Sequence, residues 1–276
     1  KIRKIRKIRK IRKIRKIAIF SYYKLFKTKS LHRIMKLTTV IGSVNDNPKY
    51  YMFIPKQILF WKKFGINFVA VFVGNHLPLE LLEYKNNIIL WQYNLDLNTA
   101  YVGQNIRMYY AARIHLPDDE IVMLTDMDML PTNPRYYTSD LEKYKIEDFI
   151  YYRHVDGNQI YMCYNAAHPK TWGKVFNIHD DNDIRNQLNE NYHSEYNGIP
   201  GSIGWSIDQE VMYKKLIHYE HLKILNRPLK RLEVYMYKKH LKHNHKYFTR
   251  HYDDVHFHRS YHDNAELIKD AENQLR

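Results

Sequence analysis

One cysteine in 276 residues, Cys163, rules out an internal disulfide and fits a reducing compartment. Its apolar surroundings suit a buried structural thiol. Glycine and proline are also sparse, nine of each, and no Gly/Ser-rich linker divides the chain. No apolar run approaches spanning length without charge, and Ile17-Ala-Ile-Phe20 is too short for a signal sequence or a membrane span. A cytoplasmic setting is therefore expected. Motifs for nucleic-acid recognition are missing too, so the formal charge of +15 needs another explanation.

The distribution of that charge supplies it. Residues 1–17 form a perfect Lys-Ile-Arg triplet repeat with six Lys and five Arg, which leaves +4 for everything else. Isoleucine at every third position drifts around a helix, so residues 1–33 read as a disordered tail or frayed helix. A tail of this kind suits an anionic membrane surface better than a specific nucleic acid. The body, 34–276, carries the apolar residues of one large domain. Its 25 tyrosines accompany many Lys, Ile and Asn, a bias that A/T-rich codons also produce.

Along the body, strands are expected at Leu37–Val44, Asn67–Val73, Asn87–Tyr93 and Glu120–Thr125. Helices are expected at Pro55–Phe64 (Ile58, Leu59 and Trp61 inward), at Leu79–Tyr84, and from a cap at Asn98 and Thr99 to about His115. This alternation implies an α/β fold, a mostly parallel sheet flanked by helices on both faces, whose ligands bind beyond the carboxyl ends of the strands. The second half reads as a smaller mixed region. Phe149–Arg153, Ile160–Tyr164 and Leu232–Tyr237 are strand-like, and His168–Phe176, Ile207–Tyr219 and Asn264–Gln274 are helical. Asp180–Asn197 reads as a mobile loop or solvated helix.

The most informative stretch is Glu120-Ile-Val-Met-Leu-Thr-Asp126-Met-Asp128-Met-Leu-Pro131. Its apolar run fits a strand buried on both faces, ending in two carboxylates before Pro131 breaks the structure. Two such carboxylates are costly to desolvate and repel one another, so something cationic must offset them. A hard divalent ion with oxygen ligands, open to phosphate oxygens, suits diphosphate chemistry. Three further features follow in order: Gly201-Ser-Ile-Gly204-Trp205, then Asp208-Gln209-Glu210, then Asp254-Val-His256-Phe-His258-Arg259.

In that order the four features resemble the GT-A superfamily of nucleotide-sugar glycosyltransferases, over about Leu37 to His262. The resemblance implies a GT-A-like fold with a nucleotide-binding half (about 34–131) and an acceptor-side half (132–276). It implies transfer of a sugar from a nucleotide diphosphate, UDP by family preference, to a hydroxyl of a glycan, protein or lipid. Asp126 and Asp128 would hold Mn²⁺ or Mg²⁺, with His256 or His258 completing the coordination and His256 preferred. Asp126 would also meet the donor, as would Ser43 and Asn45 at the end of the first strand and Arg107 on the helix before the DxD strand. Asp208 would be the general base of an inverting displacement. The reading Ile207-Asp208-Gln209 departs from the family's usual acidic motif, so a retaining outcome stays open. Tyr164, Gly204 and Trp205 would form the acceptor platform. A sugar-1-phosphate nucleotidyltransferase is the competing enzyme class, but Ile41-Gly-Ser-Val-Asn-Asp has one Gly and no Arg where such enzymes carry a Gly-rich loop. A non-enzymatic surface binder would rest on the basic tail alone.

Overall fold

The computed structural model describes residues 35–235, 251–258 and 260–274. The Lys-Ile-Arg tail and Arg259 lie outside them, and with the tail any membrane-surface role. Among the described residues no helix is long and apolar enough to cross a membrane.

Among the described residues ten strands form two sheets. In chain order they are β1 (Lys36–Asn45), β2 (Asn67–Val73), β3 (Ile88–Trp91), β4 (Glu120–Leu124), β5 (Met129–Pro131), β6 (Phe149–Tyr151), β7 (Asn165–Ala167), β8 (Leu222–Ile224), β9 (Arg231–Glu233) and β10 (Asp254–His256). The larger sheet runs β3-β2-β1-β4-β7-β6-β8, and the smaller β5-β10-β9. β3, β2, β1 and β4 are mutually parallel, with Ile41 opposite Val69 on one side and Leu124 on the other. β7 is antiparallel to both β4 and β6, and β8 is parallel to β6. The larger sheet is therefore mostly parallel, as expected, with β7 the one reversed strand.

Alternation along the strands builds a core on each face. Val40 and Phe72 pack with Phe53, Phe60 and Trp61 on one side. Ile41, Val71 and Val122 pack with Tyr101, Ile106 and Trp172 on the other. Every residue from Ile121 to Leu124 is buried, as a strand covered on both faces requires.

Several local expectations need correction. The helix Ile54–Lys63 turns Ile54, Gln57, Phe60 and Trp61 inward, and Ile58 and Leu59 are only partly buried. Spacing of three and four residues does select this face, but a glutamine sits in it. Pro131 does not break the structure; it ends β5, opposite Asp254 on β10. β5 is an edge strand of its sheet, where a proline is tolerated. Ile160–Tyr164 is not a strand, and the pairing falls instead on Asn165–Ala167. Of the two readings of Asp180–Asn197 the helix is the one found: Asp181–Glu190, largely exposed and opened by a capping box between Asp180 and Asp183.

Candidate active site

β4 delivers the Asp pair to the carboxyl rim of the sheet. The Thr125 amide still donates to the Ile41 carbonyl at 3.0 Å, so Asp126 is the first residue past the ladder. The turn that follows is gripped from beneath. The fully buried Gln57 side chain donates through Nε2 to the carbonyls of Asp126, Met127 and Met129 at 3.1, 2.9 and 2.8 Å. Its Oε1 accepts from Trp61 Nε1 at 2.9 Å, which fixes the amide's orientation. Sequence reasoning missed Gln57. The available signal was a polar residue in the apolar stripe of an amphipathic helix.

The two carboxylates are neutralised separately. The Arg107 guanidinium pairs through Nη2 with Asp126 Oδ1, and its Nη1 donates to the Thr125 carbonyl at 2.6 Å. Arg107 sits on the helix Thr99–Tyr110, whose N-cap is Asn98 as expected. That helix lies close to β1: a Cβ on Gly103 would fall 2.8 Å from the Asn45 amide nitrogen. Arg107 is thus turned onto the first Asp of the pair instead of into open space.

Asp208, one residue into the helix Ile207–Leu216, lies in the same charged group and is 2% exposed. Burial pushes its carboxyl up to about 6; Arg107 opposes that rise, and Asp126 adds to it. Its Oδ1 accepts from the Gln209 amide at 2.8 Å.

The second carboxylate, Asp128, faces His256. His256 Nε2 lies 3.5 Å from Asp128 Oδ2, and its Nδ1 lies 2.9 Å from Glu233 Oε2. The same glutamate oxygen is 2.6 Å from His258 Nε2. The smaller sheet creates this cluster. Parallel pairing of β9 and β10 sets Glu233 directly beside His256, antiparallel pairing of β5 and β10 sets Met129 on its other side, and the Phe257 amide donates to the Asp128 carbonyl at 2.9 Å. His258 is not on the strand. Its φ of 46° is left-handed, and its ring lies against that of His256 with centroids 3.9 Å apart. Burial disfavours a charge on His256, but the flanking Asp128 and Glu233 carboxylates overcome it and push the ring up to about 10. For Glu233 burial acts upward, and the two histidines outweigh it and bring the carboxyl down. Glu233 was not anticipated; strand pairing placed it, and spacing in the chain gave no sign of it.

Ligand-capable atoms of Glu233, His256 and His258 lie within 4.8 Å of one another, a group of the size that holds a metal ion. Asp128 adjoins that group through His256 Nε2. Asp128, Glu233, His256 and His258 thus gather carboxylate oxygens and imidazole nitrogens, atoms of the kinds that divalent cations take. Asp126 is held by Arg107.

The remaining expected residues divide. Ser43 is buried, and its hydroxyl donates to the Gly103 carbonyl at 2.5 Å. Asn45 lies at the rim, donating to Thr99 Oγ1 at 3.2 Å. Gly204 has φ +77° in the loop before Asp208, where a side chain would crowd His193. The Trp205 carbonyl accepts from Gln104 Nε2 at 2.7 Å, and the ring is partly buried. Tyr164 is a correction: it is fully buried, with its hydroxyl on Asp254 Oδ2 at 2.6 Å, so it offers no face to an acceptor. Asp254 also receives a bidentate grip from Arg231.

No family model and no curated protein matches the sequence. Among solved structures it is similar to the apo-form glycosyltransferase GlyE of Streptococcus pneumoniae TIGR4, at 12% identity and TM-score 0.44. That likeness covers 68% of this chain and 45% of the GlyE chain, so this chain spans less than half of GlyE. It is similar to the galactosyltransferase LgtC in complex with donor and acceptor sugar analogues, at 10% identity and TM-score 0.43, covering 86% and 95%. It is also similar to a Drosophila β1,4-galactosyltransferase 7 mutant in complex with manganese, UDP-Gal and xylobiose, at 11% identity and TM-score 0.39, covering 86% and 80%. Likeness at this level is too distant for any residue's role to be transferred.

Proposed function

We propose that the chain is a metal-dependent glycosyltransferase that takes a sugar from a nucleotide diphosphate donor, with residues 34–276 as its catalytic unit. The observation that carries the reading is the rim of the parallel sheet. Asp128 faces His256 there, with Glu233 behind the ring, beside an Asp126 fixed by a buried arginine. Asp128 and His256 would hold Mn²⁺ or Mg²⁺, with Glu233 and His258 adjoining. The bound cation would neutralise charge that gathers on the departing nucleoside diphosphate.

The chain's own groups do the rest. Arg107 holds Asp126 by one carboxylate oxygen, which leaves the other for a donor hydroxyl. Asn45, at the same rim, serves the nucleoside. Glu233 accepts from His256 Nδ1 and so keeps Nε2 towards Asp128. Trp205 and the glycine loop form the wall on the acceptor side. Asp208 is the proposed base of an inverting transfer; the hydroxyl reaches it when the loop at 198–205 shifts.

A thermal-shift screen of nucleotide sugars with and without Mn²⁺ tests the assignment. We expect stabilisation by one donor class that depends on Mn²⁺, and its loss in Asp128→Ala. Equal stabilisation of the Asp128→Ala protein would refute the metal role. The anomeric configuration of the product, read by NMR, decides between inversion and retention.

A further inference from the structure

The acceptor side of the rim holds a cation that the donor chemistry does not use. β6 is antiparallel to β7, and β7 to β4, so β6 ends at the same rim as the Asp pair. Arg153 follows β6 by two residues. Two strand spacings, about 10 Å, separate it laterally from the end of β4.

Arg153 and Arg231 converge there. Arg153 Nη1 donates to Cys163 Sγ at 3.5 Å and Arg231 Nη2 to the same sulfur at 3.6 Å. Arg231 is matched by Asp254, at 2.6 Å. Arg153, partly buried, makes no ion pair among the described residues, and no Asp or Glu occurs at 1–34, 236–250, 259 or 275–276. Its guanidinium carbon lies 4.1 Å from the centre of the Tyr161 ring. The nearby Asp156 carboxylate is engaged by the Tyr161 hydroxyl at 2.6 Å. The thiol between the two arginines does not balance them, because burial pushes it up and keeps it neutral. A half-buried guanidinium beside a second one, with no carboxylate of its own, is costly in the free protein.

We propose that Arg153 binds an anionic group of the acceptor, so that the acceptor is an acidic sugar bearing a carboxylate or a phosphate. Its planar fork suits either group bidentately, and the Tyr161 ring holds the fork in place. The assignment to an acceptor rests on the glycosyltransferase reading above; the anion site itself rests on Arg153.

Calorimetry on the full chain with Mn²⁺ and UDP present tests this, using glucuronate, glucose 6-phosphate and glucose as probes. We expect at least one acidic sugar to bind 10-fold or more tighter than glucose. Which one binds tells carboxylate from phosphate. Arg153→Gln should erase that preference while leaving UDP binding unchanged and the melting temperature no lower, since it removes an uncompensated charge. Glucose binding as tightly as both acids overturns the proposal, a result read on the unaltered protein even where the variant fails to fold. A preference that survives Arg153→Gln overturns it too. Mn²⁺-dependent hydrolysis of UDP-sugars is measured in parallel. Its absence, with acid-sugar binding intact, removes the transferase reading; its presence, with no acid preference, removes only the acidic acceptor.

Discussion

His256 shows how much one side chain's surroundings decide. In the metal-free protein it is an imidazolium clamped between Asp128 and Glu233, with its pKa pushed up to about 10. A metal needs the neutral ring, so Mn²⁺ binding at pH 7.5 should release close to one proton. Titrations in buffers of different ionisation enthalpy measure that number, and zero release would contradict the clamp. Because this pKa is raised, the stability the charged ring lends to the metal-free fold is fully present below about pH 6.5. It is lost as pH climbs through about 10. Glu233→Gln should weaken Mn²⁺ binding by about 10- to 100-fold, as losing a ligand's carboxylate partner does elsewhere. An unchanged affinity would make the glutamate incidental. Asp208 has the opposite sense. Its carboxyl, raised to about 6, disfavours the fold once ionised, so stability falls between about pH 4 and 6. Asp208→Asn should remove that fall, and denaturant melts at pH 4 and pH 7 should show the variant-minus-parent difference moving by up to about 3 kcal/mol. Asp126 and Asp128 were legible in the chain because charge at the end of an apolar run is conspicuous, whereas His256 came only from the order of motifs in the resemblance. Glu233 was not legible, since only pairing across β9 and β10 brings it there.

At the scale of elements, the helix Ile54–Lys63 is the foundation of the Asp turn. Gln57→Leu keeps the side chain's bulk but strips three carbonyls of their shared donor. It should cost about 1–3 kcal/mol in chemical denaturation and loosen Mn²⁺ binding as well. A stable variant with intact metal affinity would show that the turn holds itself. β1, β2 and β4 were readable because buried parallel strands are continuous apolar runs bounded by polar or glycine residues. The stretch at 160–164 misled because it is apolar for another reason. Ile160, Met162, Cys163 and Tyr164 are core residues of irregular backbone. Polar composition left loop and solvated helix both open at 180–197, and the capping-box spacing of Asp180 and Asp183 was the signal that decides for the helix.

For the molecule as a whole, the candidate metal site ties the turn that follows β4 of the larger sheet to β9 and β10 of the smaller one. Asp128 lies in that turn, next to β5, and Glu233 and His256 lie on β9 and β10. Occupancy at about 100 times the dissociation constant adds about 2.7 kcal/mol. For a body of this size we therefore expect Mn²⁺ to raise the melting temperature by roughly 5–10 °C, reversed by EDTA. No shift would place the ion elsewhere or nowhere. The parallel order of the first strands followed from their spacing. The reversal at β7 did not, because three-residue strands carry too little pattern to reveal their direction.

The single amide of Gln57 that grasps three carbonyls of one turn has a practical corollary. The shape of the Asp turn is imposed by a neighbour some seventy positions earlier in the chain, not by the letters of the turn itself. Grafting residues 126–131 alone into another scaffold would carry over their composition but not their curvature; only a transplant that includes the supporting helix would keep both.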